Sequence, residues 1–195
     1  MDSFHDFSNP FREILAGNLL LLLCSLFYLI WWVISYRPNS YGMSATGGLY
    51  LIVAAITGIT AIAVLAYGIN SLAPHSHGMR VKFILIGAGI LFLAMLAITT
   101  LVFHRIVTSE LMLIHIWLAL EMSAVAVLFG TGRFGVGIAV TMAILIGIAF
   151  IVGLICYVLY YRLDETASYW TGMIPLIVAA LVLIVFEATL LQAAG

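Results

Sequence analysis

Charge is what this chain has least of. It carries seven basic and eight acidic residues, 8% of 195, where soluble domains average about 25%. So few charges cannot cover a water-facing surface, which excludes an ordinary soluble globule. The net charge of −1 leaves no basic footprint, which argues against nucleic acid as a partner. Only two cysteines occur. Cys24 lies midway along one apolar run and Cys156 near the end of another. A bridge between them would need matching depth, so both read as small buried apolar residues. Catalytic signatures are missing as well: no G-x-S-x-G, H-E-x-x-H, C-x-x-C or P-loop pattern occurs. The chain reads as a non-enzyme without cofactor or resident metal.

What is abundant is apolar sequence, 65% of all residues, with a mean hydropathy of +1.25. A helix that crosses a bilayer needs at least about 18 apolar residues in a row, and such runs recur almost from end to end. LAGNLLLLLCSLFYLIWWVI is apolar on every face, as a membrane helix is. It lacks the alternation that marks a transmembrane barrel. No basic lead-in precedes it and no clear cleavage site follows, so it is expected to stay as the first membrane helix. The polar connections SYRPNSYGM, NSLAPHSHGMR, HRIVTSE, GTGRFG and YRLDETASY carry turn residues. They predict an all-α, polytopic integral membrane bundle, one transmembrane domain over residues 1–195. Its six helices fall at about 13–36, 45–70, 80–103, 109–130, 134–161 and 168–193. In SNPFREI, Asn9 is expected to cap the first helix and Pro10 to take its first position.

The segment TGGLYLIVAA, residues 46–55, returns as TGMIPLIVAA, residues 171–180, with seven of ten positions matched. The same shift of 125 residues aligns Tyr36-Arg37 with Tyr161-Arg162. We read three repeated helical hairpins, against coincidence within an apolar alphabet. Both termini then lie on one side of the membrane. Arg12, Arg80, Lys82 and Arg133 fall on that side, and Arg37, Arg105 and Arg162 on the other. The balance leans the termini toward the cytoplasm of a cell inner or plasma membrane. Gly87, Gly89, Gly130, Gly132, Gly135, Gly137, Gly147 and Gly153 are expected to let helices 3 and 5 approach their neighbours closely. Trp31, Trp32, Tyr36, Tyr41, Tyr160, Tyr161, Tyr169 and Trp170 read as an aromatic belt on the side away from the termini.

Two acids interrupt the apolar helices: Glu121 in LALEMSA and Glu187 in IVFEATL. A charge at such depth costs roughly 2.5–3.5 kcal/mol on insertion scales, and an intramembrane acid is a functional candidate by default. One reading makes Glu121 and Glu187 the lining of an interior path for protons or a cation. Thr57 and Thr60, with Ser123 and Thr189, then supply further polar lining. The other reading has each acid hydrogen-bonded to a neighbouring helix, holding the bundle together. His75 and His77 form an H-x-H in a loop, with no fourth zinc ligand in sequence. His104 and His115 fall at unequal depths, a poor match for haem.

The whole chain resembles, in outline, the HdeD-like acid-resistance membrane proteins. The likeness rests on the proline-marked turn YRPNS, on GLYLIVAAITGITAIAVLAYGI behind it, and on IGAGILFLAML opening the second hairpin. It implies a stress-related inner-membrane protein and assigns no site residue. Two functional classes follow. One is a non-catalytic membrane protein, either a stress factor or a subunit of a larger membrane complex. The other is a small channel or transporter using Glu121 and Glu187, with a homo-oligomer as one way to make room for a pore. Capped glutamates in a tight, glycine-packed core would favour the first; polar residues facing a shared interior cavity would favour the second.

Overall fold

The computed structural model describes residues 8–37, 45–76, 79–102, 104 and 109–194. Six helices follow one another: α1 Ser8–Tyr36, α2 Ala45–Leu72, α3 Met79–Leu101, α4 Ser109–Gly130, α5 Val136–Tyr160 and α6 Glu165–Ala194. A 3-10 turn, Ala73–Ser76, extends α2. All six helices are long and apolar enough to cross a membrane, and no strand occurs among the described residues. The protein is a helical membrane bundle.

Local chemistry sets the boundaries. Among the described residues α1 starts at Ser8, so the backbone of Asn9 is already helical, where the sequence predicts an N-cap position. Pro10 still falls where helical N–H groups have no partner, and its missing donor costs nothing there. At the start of α6 the Asp164 carboxylate accepts from the Ala167 N–H at 3.4 Å, and Glu165 adds an acid to the first turn. Both features favour a helix N-terminus, and α6 therefore starts earlier than its apolar run. At the end of α4, Gly132 donates to the Phe129 carbonyl and Arg133 to the Leu128 carbonyl. Gly132 takes φ 73°, the left-handed residue that closes such a C-terminal motif. It ends a helix, which is a different task from packing one.

α4 is the middle of the bundle. It packs against α2, α3 and α5, while α1 packs against α2 and α6, and α6 against α5. More than half of the apolar stretch of α4 is buried, 56%, against 11% for α3. Leu111, Ala124, Val127 and Leu128 of α4 join Ile14, Leu65, Phe186 and Leu190 in one core. In the repeated segments, Ile52 and Ile177 both face outward, and each segment belongs to a helix packed on its hairpin partner.

Two packing expectations need correction. A side chain added at Gly87, Gly89, Gly135, Gly137 or Gly147 would meet nothing within 4 Å, so these glycines face outward and bring no helices together. Of the glycines expected to pack helices 3 and 5, Gly153 does so, against Ile114 and Pro175. The close approaches lie instead on α1. Gly17 faces Leu65, Gly68 faces the Pro10 carbonyl oxygen and Ile14, and Gly172 faces the Trp32 ring. The belt divides in the same way. Trp31, Trp32 and Tyr169 are buried together, and the Trp32 Nε1–H donates to the Tyr169 carbonyl at 3.2 Å. Tyr36, Tyr161 and Trp170 remain on the outside. Tyr41 lies outside the described residues.

Candidate intramembrane carboxyl site

Glu121 comes from α4, which contributes most to the core, and Glu187 from α6, which adds Val182, Leu183, Phe186 and Leu190 to it. Glu121, on α4, is 1% exposed and Glu187, on α6, is 6% exposed. They are near enough for Glu187 to act electrostatically on Glu121. None of their four carboxylate oxygens has a hydrogen-bond partner among the described residues. Neither acid is capped by a neighbouring helix in the way a structural strut would be. An unsatisfied buried polar group costs about 1–3 kcal/mol, more if charged.

A third polar side chain shares this condition and was not singled out from the sequence. Asn18 of α1 is 0% exposed, and neither its Oδ1 nor its Nδ2 has a partner. Its level in the bundle follows from helix geometry. Asn18 and Trp32 are fourteen residues apart on α1, a rise of about 21 Å that returns to within about 40° of the same face. Trp32 packs on Gly172 of the antiparallel α6. From Gly172, Glu187 lies fifteen residues along α6, about 22 Å in the same direction. Asn18 therefore stands at the level of Glu187, on the side of α1 that meets α6. The signal was present in sequence as the one amide inside LAGNLLLLL; it carries no charge and draws less attention than an acid.

The threonines do not join this group. The Thr57 hydroxyl donates to the Val53 and Ala54 carbonyls at 2.9 and 3.0 Å, and Thr60 donates to the Ile56 carbonyl while facing outward. Thr57 also lies fifteen residues above the end of α2, about 22 Å, whereas Glu121 lies about 14 Å above the end of α4. Ser123 and Thr189 each follow a glutamate by two residues, which turns them to the opposite helix face. They satisfy themselves on the Ala119 and Val185 carbonyls. His115 is buried between Phe92 and Phe150, while His104 is exposed at the end of α3; the two do not meet. His5 and His77 lie outside the described residues. No group of three metal-binding side chains occurs among the described residues.

A cleft opens at the end of the bundle away from the termini, with a volume of about 190 Å³ between α1, α4, α5 and α6. Ile114 lines it, and Glu121 lies seven residues further along the same face of α4, about 10 Å deeper. No family model, curated protein or solved structure matches the chain at a significant level. Function is therefore argued from the site.

Proposed function

We propose that the protein is a small membrane transporter or channel in which Glu121 and Glu187 take up and release protons inside the bundle. The observation that carries this reading is the burial of two intramembrane carboxyls, none of whose oxygens has a hydrogen-bond partner among the described residues. A strut would be capped, because each uncapped group weakens the fold it is meant to hold. A carboxyl that must change protonation needs the opposite: no fixed donor, and polar neighbours that tolerate either state. Asn18 fits that need, since its amide offers both a donor and an acceptor. On the side away from the termini, the cleft ends at Ile114, on the Glu121 face of α4 and about 10 Å short of that carboxyl. The alternative reading, a stress-related or complex-forming protein without transport, is favoured by none of these features.

Infrared spectroscopy tests whether the pair communicates with water. The carbonyl stretch of a carboxylic acid should change with bulk pH in membranes containing the protein. That change should be smaller in Glu121→Gln and in Glu187→Gln than in the parent protein, and smallest when both are replaced. A spectrum that stays constant across the whole range where the protein is folded would make the pair a fixed structural element and end the proposal.

A further inference from the structure

The cleft at the far end has a composition of its own. Trp32, Tyr36, Tyr157, Tyr160 and Tyr161 line it, and no lysine, arginine or histidine does so among the described residues. The tyrosines stand almost at right angles: Tyr157 to Tyr161 at 80° and 5.6 Å, Tyr160 to Tyr161 at 88° and 5.1 Å. Rings so arranged pack edge to face on one another and present a continuous aromatic wall to the cleft. The negative face of an aromatic ring attracts a cation, most strongly where water is excluded.

The wall contributed by α6 adds an acceptor. Pro175 lies inside α6 and lines the cleft together with Thr171, four residues before it. Proline has no N–H, so the Thr171 carbonyl loses its helical donor, and the proline ring stands beside that carbonyl. At membrane depth a freed backbone carbonyl has to be satisfied by a neighbour, by water or by a ligand. The Thr171 hydroxyl does not serve it, because it donates to the Ala167 carbonyl at 2.7 Å. Gly153 and Gly172 line the same cleft, each packed closely by a neighbour, Ile114 and Trp32 respectively. Outside the mouth, a neighbouring groove includes Arg37 and Glu165, one of each sign.

We propose that the aromatic cleft of Trp32, Tyr36, Tyr157, Tyr160 and Tyr161, with the proline-freed Thr171 carbonyl, binds a small organic monocation of the quaternary-ammonium class. Its role as the transported substrate rests on the proton-transfer reading of Glu121 and Glu187. Its occupancy does not, since neither acid lines the cleft. Aromatic faces and a carbonyl acceptor, with no cationic side chain among the described residues to oppose it, suit a positive charge without hydrogen atoms to donate, and the aliphatic lining of Leu111, Ile114 and Pro175 accepts its methyl groups.

The test is calorimetric titration of the full-length protein in lipid nanodiscs with benzyltrimethylammonium and with neopentylbenzene, which has the same shape and no charge. The cation should bind and the neutral compound should bind at least about tenfold more weakly, in line with several cation–π contacts acting together. Tyr161→Leu removes one π face at an exposed position, and Pro175→Ala returns a donor to the Thr171 carbonyl while restoring a regular helix. Each should weaken cation binding about fivefold or more, with Pro175→Ala at least as stable as the parent protein. Equal binding of both compounds, no binding of the cation, or binding unchanged in both variants would each overturn the proposal. Glu121→Gln should bind the cation as the parent does. Cation binding without any proton flux would remove the transport reading and leave the site, whereas flux without cation binding would do the reverse.

Discussion

Trp32 fills the space that Gly172 leaves on α6. A Cβ at position 172 would collide with the indole ring, while the Trp32 Nε1–H donates to the Tyr169 carbonyl one turn away. This contact fixes the register of α1 against α6, and through that register it brings Asn18 level with Glu187.

Enlarging Gly172 therefore has a defined consequence. Gly172→Leu should destabilise the protein by about 1–3 kcal/mol, because the ring cannot move without breaking its hydrogen bond. Gly87→Ala, at an open position on α3, should be neutral or stabilising by up to about 1 kcal/mol. Reversible unfolding in mixed micelles measures both. Equal losses in the two variants would mean that Trp32 and Gly172 are not a packing pair.

Asn18 separates structural from functional roles. Asn18→Leu replaces an unpaired buried amide by an apolar side chain of similar size, and should leave stability unchanged or raise it by about 1–3 kcal/mol. It should also slow proton flux, because the bundle loses the buried amide that stands at the level of Glu187. Full flux in a more stable variant would remove Asn18 from the site.

Topology can be tested at exposed ends. In a background without Cys24 and Cys156, cysteine at Lys82 and cysteine at Glu165, both exposed positions, should be labelled by an impermeant maleimide from opposite sides of the membrane. The side that labels Glu165→Cys should be the extracytoplasmic one if basic residues set the orientation. Labelling of both positions from one side would contradict six spans.

The architecture was legible because length and hydropathy alone define a membrane helix. Glu121 and Glu187 stood out for the same reason, as charges in runs that otherwise have none. What could not be read was azimuth. A helix that is apolar all round gives no sign of which side meets lipid, so Gly87 and Gly172 look alike in sequence, although one faces outward and the other a tryptophan. Trp31 and Trp170 differ in the same way, one buried and one 58% exposed. Thr57 and Thr60 were grouped with the acids by polarity, yet in helices a hydroxyl bonds to its own preceding turn. Asn18 was legible in principle, as an amide in an unbroken apolar run, and its meaning emerged only beside the other unpaired buried groups, Glu121 and Glu187.

The most direct test of the account is proton flux into proteoliposomes, driven by an imposed membrane potential and followed with an entrapped pH-sensitive dye. Parent protein should acidify the lumen faster than protein-free vesicles. Glu121→Gln and Glu187→Gln should each reduce that rate by at least about tenfold, the least expected from losing a required proton-transfer group, while Glu165→Gln at the exposed end of α6 should not. Flux equal to the parent in both glutamine variants would contradict the claim that this buried pair carries protons.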